Sequence, residues 1–294
     1  MNNFSSTTST ASEHIASTAS FQDRFLAWLY GSHLGRALLP IIVRPAISKL
    51  GGIVLNSKLS TLGIAGFIRS NNMDMSQFEQ REFSSYNDFF TRKILPSKRP
   101  ICPDERALIS PCDSVLSAYR VAENTQFHIK GTEYTLEQLL RSKELATLFD
   151  RGTVLVFRLT VADYHRYCYP VSGNKTKDKL LPGIFNTVNP IAAACRPIYK
   201  ENTRVLSVVT SDVFGQVLIM EVGALMVGKI VNEHPEACAV TRGTEKGRFE
   251  FGGSTIIVCL QENAAEIDEV YFQNTEQNIE TPVQYGQKIG IAAH

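Results

Sequence analysis

The sequence predicts an α+β fold with a mainly antiparallel β core and an N-terminal helical layer. Short apolar, β-branched runs bounded by turn residues fill the chain from residue 107 onward. Helices and strands do not alternate regularly, which argues against a parallel sheet. An earlier apolar stretch, residues 25–68, is repeatedly broken by charges. The predicted organisation is a disordered tail over 1–24, a helical layer over 25–95 and a β-rich domain over 96–294.

The tail and the helical layer differ in composition. The first twenty residues are rich in Ser, Thr, Ala and Asn, and they lack the basic start and apolar run of a secretory signal. Residues 25–68 carry bulky apolar side chains, but charges such as Arg36, Arg44 and Lys58 leave no charge-free run near the roughly 20 residues of a spanning helix. The sequence therefore predicts that this stretch does not cross a bilayer.

Short amphipathic helices fit residues 25–68 better, because glycines and prolines interrupt the stretch. Two interpretations stay open from the pattern alone. The helices can lie in a membrane interface, where Trp28 and the neighbouring basic residues would suit the boundary between lipid and water. They can equally pack on the core of the domain itself.

The remaining elements follow in order along the chain. Residues 83–92 predict a short aromatic-rich helix with a serine cap, and the prolines of 96–103 predict a connector. Thr135 is a plausible cap for a helix running to about Phe149. Strands are predicted at 107–110, 114–119, 127–130, 153–159, 204–209, 215–222, 225–231, 254–258, 269–272 and 283–291.

Composition narrows the function classes. With 30 Lys and Arg against 29 Asp and Glu, the net charge of +1 gives no field that would attract nucleic acid. The six cysteines are scattered and show neither a C-x-x-C pair nor zinc spacing. We therefore expect reduced thiols in a cytoplasmic chain, with no metal site and no nucleic-acid partner.

The functional prediction centres on one stretch, residues 246–258. Gly252-Gly253 breaks a strand, and Ser254 follows at once. A serine hydroxyl beside a flexible glycine carbonyl can attack that carbonyl if a base accepts its proton and donors hold the oxyanion, and the chain would then cleave itself. The alternative is a bulged strand with a solvent-facing Ser-Thr.

Two other segments supply an acid and a base. The turn 110–114 contains Asp113, which a hydrogen bond to its own backbone would also explain. The loop 162–170 contains His165, and imidazole is the side chain best suited to move protons near neutral pH. Asp113, His165 and Ser254 follow separate predicted strands and together form the set needed to activate a serine.

These motifs together resemble the phosphatidylserine decarboxylase family. The resemblance extends from about Phe25 to the C-terminus, and several separated motifs in family order are more specific than any one of them. The matching stretches are Tyr-Asn-Asp-Phe-Phe-Thr-Arg at 86–92, Arg-Pro-Ile at 99–101, Ser-Pro-Cys-Asp at 110–113, Asp-Tyr-His-Arg at 163–166, Val-Asn-Pro at 188–190, Glu-Val-Gly-Ala at 221–224 and Gly-Gly-Ser-Thr at 252–255.

The resemblance implies an enzyme that makes its cofactor from its own backbone. Ser254 would attack the Gly253 carbonyl, and the chain would split into 1–253 and 254–294, with Ser254 converted to an N-terminal pyruvoyl group. That ketone would form a Schiff base with the amine of phosphatidylserine and accept the electrons freed when carbon dioxide leaves, which yields phosphatidylethanolamine. No external cofactor is implied.

The resemblance also implies partners and a location. A lipid substrate favours a membrane surface for the helical layer, and we expect a peripheral protein on the cytoplasmic side of the cell membrane. The two chains would form a heterodimer, and the sequence leaves open whether that unit dimerises again. Two other functions remain: a soluble pyruvoyl-dependent amino-acid decarboxylase of the same superfamily, and a relic that does not mature.

The family's site residues carry over with one departure. Asp113 matches the acid of the self-cleavage relay, Ser254 its nucleophile, and His165 the histidine associated with decarboxylation. The position of the relay histidine holds Cys168. Three alternatives follow: His165 serves both steps, Cys168 accepts the proton as a thiolate with its pKa lowered by neighbours such as Arg166, or maturation is slow or absent.

Overall fold

The computed structural model describes residues 51–122, 126–129, 132–183, 202–223, 229–250 and 254–293. The predicted tail 1–24, the first part of the predicted layer up to residue 50, the 188–190 motif and Gly252-Gly253 lie outside the described residues. The helices are α1 (Ile64–Ser70), α2 (Tyr86–Phe90), α3 (Leu136–Leu140), α4 (Lys143–Leu148) and α5 (Glu269–Glu276).

The strands carry most of the chain, as the sequence predicts. In chain order they are β1 (Ala107–Ile109), β2 (Ser114–Arg120), β3 (Gln126–Ile129), β4 (Thr132–Thr135), β5 (Thr153–Leu159), β6 (Arg166–Cys168), β7 (Gly173–Lys175), β8 (Lys179–Leu181), β9 (Arg204–Ser211), β10 (Gly215–Gly223), β11 (Ile230–Asn232), β12 (Cys238–Val240), β13 (Glu245–Phe249), β14 (Ser254–Leu260), β15 (Ala265–Ile267), β16 (Thr281–Val283) and β17 (Lys288–Ala292).

A nine-stranded central sheet organises the described residues. Its order is β12-β7-β9-β10-β14-β5-β2-β16, with β8 added beside β9. Smaller sheets β11-β13-β6 and β1-β17-β15 and the hairpin β3-β4 accompany it. Every pairing recorded between these strands is antiparallel, so the predicted α+β class with a mainly antiparallel core is confirmed.

Strand β14 lies at the centre of the sheet and is buried on both faces. It pairs with β10 on one side and β5 on the other, and all seven of its residues are buried. Successive side chains of a strand point to opposite faces. Ile257 and Cys259 enter a core cluster with α3 and α4, whereas Ile256 and Val258 enter a second cluster with the aromatic residues of β6 and β13.

The short helices near residues 85 and 140 begin where the sequence predicts. Ser85 caps α2 by accepting a hydrogen bond from the Asp88 amide, and Thr135 caps α3 in the same way. The predicted single helix 135–149 is interrupted, because Arg141 takes a left-handed conformation with φ of 48° and Ser142 caps a new helix, α4. The predicted aromatic-rich helix within 83–92 is thus confirmed as α2. The predicted helix 135–149 is divided into α3 and α4.

One predicted strand, 269–272, is wrong: these residues begin helix α5. The β-branched and aromatic residues of this short run are typical of strands, and propensity over four residues is a weak guide. Tyr271 and Phe272 are both buried, and α5 packs on β2. Packing against β2 therefore favours a helix here over the strand that local propensity predicts.

The described part of the N-terminal layer consists of short helical pieces. Residues 51–55 are helical, Lys58–Gly63 forms a 3₁₀ helix, and α1 follows it directly. None of these three segments has a buried residue, while α2 behind them buries Tyr86, Phe89 and Phe90. Within the described residues, no helix combines the length and the hydropathy that a membrane-spanning segment needs.

Candidate active site

Ser254 is the first residue of β14 and lies deep in the sheet. Gly223 stands opposite it on β10, and Leu159 stands opposite it on β5. Its side chain is fully buried, and its hydroxyl has no hydrogen-bond partner among the residues that the structure describes. Buried polar groups are almost always hydrogen-bonded, so this hydroxyl calls for a functional explanation. The solvent-facing alternative for Ser254 is wrong.

His165 is also fully buried, and its tautomer follows from its contacts. The Nδ1 atom lies 2.9 Å from the carbonyl oxygen of Asp163. A carbonyl only accepts hydrogen bonds, so Nδ1 carries the proton and Nε2 carries the lone pair. No group among the described residues hydrogen-bonds to Nε2. The ring therefore presents a bare acceptor inside the protein.

The ring of His165 is neutral at physiological pH. Burial, and to a smaller extent the positive charge of Arg92, lower the pKa of His165 to about 3, against a smaller opposing effect of the Asp163 carbonyl. The ring of Phe90 lies against the imidazole with centroids 3.9 Å apart. A neutral imidazole is the form that can accept a proton from a hydroxyl.

The strand register brings His165 and Ser254 to the same end of the sheet. Strand β5 ends at Leu159, opposite Ser254, and the chain reaches His165 six residues later. There the carbonyl of His165 accepts a 2.9 Å hydrogen bond from the amide of Phe249, the last residue of β13, and the chain returns from Phe249 to Ser254. The histidine and the serine thus lie at the same edge of the sheet, which the chain reaches at the end of β5 and again at the end of β13.

Asp113 lies at the same edge, two strands away. Val115 pairs with Arg158, which pairs with Thr255, so Asp113 is separated from Ser254 across the sheet by about 10 Å of strand spacing. Its carboxylate accepts hydrogen bonds from the Arg99 guanidinium at 2.7–3.1 Å and from the Tyr285 amide at 2.8 Å. No hydrogen bond recorded for the described residues joins it to His165.

Comparison with known proteins agrees with this geometry. The family model described as phosphatidylserine decarboxylase matches residues 86–291. The phosphatidylserine decarboxylase proenzyme 2 of Clostridium acetobutylicum is 41% identical over 266 residues, which cover 90% of this chain and 91% of that protein. The phosphatidylserine decarboxylase proenzyme of Clostridium tetani is 38% identical over 272 residues, which cover 91% of this chain and 92% of that protein. The proenzyme of Desulfitobacterium hafniense is 36% identical over 274 residues, which cover 92% of both chains.

This chain belongs to the phosphatidylserine decarboxylase family. The match covers the segments that hold Asp113, His165 and Ser254 in one edge of the sheet. The relatives are named proenzymes, a word for proteins that require processing. A buried serine hydroxyl with no partner, at the residue after Gly-Gly, is consistent with that word.

Cys168, which the family resemblance sets at the relay position, is the last residue of β6. It is fully buried, and its amide donates a 2.9 Å hydrogen bond to the carbonyl of Pro111 in the turn that carries Asp113. Burial raises the pKa of the Cys168 thiol to about 12. Arg166 binds Glu245 and the Thr91 carbonyl instead of the thiol. This environment keeps Cys168 protonated and disfavours a thiolate.

The loop that carries His165 is fixed by the residues beside it. Asp163 accepts a 2.6 Å hydrogen bond from the Thr160 amide, and burial raises the pKa of its carboxyl group. Arg166 ties the start of β6 to helix α2 through Thr91. Both residues therefore hold the loop in place.

Sequence reasoning missed several buried charges around this site. Arg92 is buried between aromatic rings beside His165. Glu221 and Lys246 form a fully buried ion pair, with 2.8 Å between Oε1 and Nζ. Glu221 pairs with Ile256, so it is a diagonal neighbour of Ser254 on the same face. A charge inside a strand as apolar as β10 was the signal that could have revealed the pair.

Proposed function

We propose that this chain is a phosphatidylserine decarboxylase that generates its own pyruvoyl group at Ser254 and releases phosphatidylethanolamine and carbon dioxide. One observation carries the proposal: in a chain of this family, the Ser254 hydroxyl is buried without a partner directly after Gly252-Gly253. The pyruvoyl group supplies an electron sink for the loss of carbon dioxide. An amino-acid substrate has no comparable support, because the relatives are named for the phospholipid.

The residues present suit a backbone cleavage at this junction. The Ser254 oxygen would add to the Gly253 carbonyl, the peptide would rearrange to an ester, and elimination would release 1–253 as a carboxylate and leave a dehydroalanine at the start of 254–294. Reaction of that residue with one water would release ammonia and leave the pyruvoyl group. Strand β14 pairs on both sides with strands of the longer chain, and β16 and β17 pair with β2 and β1. These pairings would hold the two chains together as a heterodimer after the bond breaks.

His165 is the proposed base for this cleavage. Its Nε2 lone pair is free to accept the Ser254 proton, and its Nδ1–H bond to the Asp163 carbonyl would favour the charged ring that forms. The same ring would move a proton during decarboxylation. The high pKa of Cys168 makes the thiol the weaker alternative.

Asp113 remains the proposed acid of the site, and its contacts add a second task. The carboxylate belongs to the longer chain, while the Tyr285 amide that it binds belongs to the shorter chain. Arg99 holds the carboxylate in place with a charge-assisted, forked contact. Asp113 would therefore help to keep the two chains aligned at the active edge.

Mass spectrometry of the purified protein tests the cleavage. We expect a fragment 254–294 that lacks one ammonia relative to a serine start and resists Edman sequencing. The Ser254→Ala variant should remain one chain without decarboxylase activity, and the adjacent Thr255→Val variant should cleave normally. An intact chain that decarboxylates phosphatidylserine would contradict the proposal.

The identity of the base is tested by the same measurement. We expect complete cleavage of Cys168→Ala and an intact chain for His165→Ala. Cleavage of both variants would remove both candidates, and failure of Cys168→Ala alone would restore the thiol. Near-ultraviolet circular dichroism of each variant would show whether the packed core is retained.

The described part of the N-terminal layer supports a membrane-facing role. Ile53, Val54, Leu59 and Leu62 are exposed, the last two at 79% and 84%, beside Lys58. Exposed bulky apolar side chains near a cation suit the interface of an anionic bilayer. We propose that this surface docks the protein peripherally on the cytoplasmic side of the cell membrane.

Flotation with vesicles containing phosphatidylserine tests the docking. We expect the protein to float with the vesicles, and the Leu59→Ser, Leu62→Ser double variant to remain in the aqueous fraction. Leu180→Ser is the matched control, since Leu180 is also an exposed leucine, at 58%, but lies on β8. Equal flotation of all three proteins, or no flotation of the parent, would contradict this surface.

A further inference from the structure

Arg92 is a buried cation with no counter-ion among the described residues. It is 1% exposed, and its guanidinium carbon lies 4.3 Å and 5.0 Å from the ring centroids of Phe78 and Phe89. The ion pairs recorded for the described residues do not include it, and its Nε has no hydrogen-bond partner there. Burying a charge in this way is unfavourable. Burial lowers the pKa of Arg92 to about 10, which leaves it charged at neutral pH.

Two polar contacts of Arg92 reach the loop that holds His165, and two longer ones, at 3.5 Å, reach the carbonyls of Phe89 and Phe90 in helix α2. Its Nη2 donates to the carbonyl of Ala162 at 3.1 Å and to that of Asp163 at 3.4 Å. The Asp163 carbonyl is the same oxygen that accepts the Nδ1–H of His165. One oxygen thus receives both donors, which links the position of Arg92 to the hydrogen bond made by His165.

Helix α2 holds the histidine from a second direction. Phe90, two residues before Arg92, lies against the imidazole with 3.9 Å between centroids. The charge of Arg92 also opposes protonation of the ring. Arg92 itself is faced by Tyr86, Tyr164, Asp163 and Asp113, all of which favour its charged form. The ring of His165 is faced by Arg92 as its charged neighbour and by the Asp163 carbonyl as its hydrogen-bond partner.

We propose that Arg92 is a positioning residue that holds His165 in the Nδ1–H tautomer and keeps the ring neutral, so that Nε2 stays available to Ser254. The use of Nε2 rests on the proposed function. The positioning itself does not, because it concerns only Arg92, the loop and the ring.

Nitrogen-15 NMR of labelled histidines tests the positioning directly. The parent is the Ser254→Ala chain, which stays in one piece, and the His165 signals are assigned among the six histidines by comparison with His165→Gln. In the parent we expect a single Nδ1–H tautomer that stays neutral through pH 5. In Arg92→Met we expect a mixture of tautomers and a protonation midpoint raised by about one pH unit or more, as loss of a neighbouring cation predicts.

Arg204→Met is the matched control. Arg204 is also a fully buried arginine that donates to backbone carbonyls, those of Leu139 and Asn202, but its side chain lies on the opposite face of the central sheet from Ser254. We expect this variant to leave the His165 signals unchanged. Unchanged signals in Arg92→Met, or equal changes in Arg204→Met, would overturn the proposal.

A second variant decides the matter if Arg92→Met does not fold. Arg92→Lys keeps the charge but replaces the planar fork with a single ammonium. We expect its ring to stay neutral while the tautomers mix, and an unmixed Nδ1–H tautomer would overturn the proposal. In chains that retain Ser254, we expect Arg92→Lys to cleave about tenfold more slowly, the loss typical of a misplaced general base. If the unmodified chain does not cleave, the proposed function fails while the NMR result still decides the role of Arg92.

Discussion

The two faces of the central sheet are built from the same strands but differ in the polar groups that they bury. The face under α3 and α4 is apolar and includes Leu218, Met220 and Ile257. The face under β6, β11 and β13 carries Ser254 and the buried Glu221 beside its apolar residues. Strand alternation makes this separation possible, since neighbouring residues point to opposite faces. Both faces bury apolar side chains and so contribute to folding, and the second also buries the candidate serine and the Glu221–Lys246 ion pair.

The polar face itself contains two kinds of buried group. Glu221 has a charged partner and a hydrogen-bond donor: its Oε1 lies 2.8 Å from Nζ of Lys246, and its Oε2 accepts a 3.2 Å hydrogen bond from Asn232, which also donates to Asp178. Ser254 and His165 are left with unpaired atoms in the same region. A satisfied network holds strands in place, whereas an unsatisfied atom has free-energy reason to react or bind. Other described hydroxyls, such as those of Ser114 and Thr255, also lack a recorded partner, so it is the position directly after Gly252-Gly253 that singles out Ser254 as the candidate.

The largest expected effect is the loss of the buried ion pair. In the one-chain Ser254→Ala background, we expect Lys246→Met to lower the free energy of unfolding by about 3–5 kcal/mol, because it leaves the Glu221 carboxylate buried alone. The double variant with Glu221→Gln should recover most of that loss. Urea denaturation measures both, and additive losses would show that the two charges do not compensate each other.

On the apolar face, truncation should cost stability without affecting chemistry. We expect Ile257→Ala to lower the free energy of unfolding by about 3 kcal/mol, since it opens a cavity under α3 and α4. In the chain that retains Ser254, the cleaved fraction at 25 °C should remain that of the parent. A cleavage defect at a temperature where the variant is folded would mean that the faces are coupled.

His165 should make the polar face sensitive to acid. Its pKa is about 3 in the folded protein, against about 6.5 for a free histidine, so between these values the unfolded chain binds a proton that the folded chain does not. Stability therefore falls as pH falls, by about 2 kcal/mol between pH 6.5 and 5. Urea denaturation of Ser254→Ala at both pH values should show this loss. The added His165→Gln substitution should remove it, and equal losses in both proteins would contradict a neutral His165.

The smallest effect is expected at Thr255, next to Ser254 but on the apolar face. Its hydroxyl is buried and has no partner among the described residues. Thr255→Val keeps the shape and removes that hydroxyl, so we expect a gain of about 1 kcal/mol or less in the free energy of unfolding. Thermal unfolding in the Ser254→Ala background measures it, and a clear loss would indicate a hidden role for this hydroxyl.

Local sequence patterns predicted the antiparallel core well, because alternation and turn residues act over a few positions. The strands around Val156, Met220 and Ile257 and the caps at Ser85 and Thr135 are examples. The strand predicted around Tyr271 was wrong because these residues pack on β2, which is distant in the sequence, as a helix. The break at Arg141 needed a backbone angle that composition does not reveal.

By itself, the sequence determined the family and the antiparallel class and singled out the candidate serine, because motifs and periodicity are properties of neighbouring residues. Only the tertiary structure decided the environment of each group. In the folded chain, Ser254 is buried without a partner among the described residues, and Asp113 binds Arg99. Burial keeps Cys168 protonated, and both Arg92 and His165 donate to the Asp163 carbonyl. Charge, tautomer and exposure depend on residues far apart in the chain, and only the folded sheet brings those residues into contact.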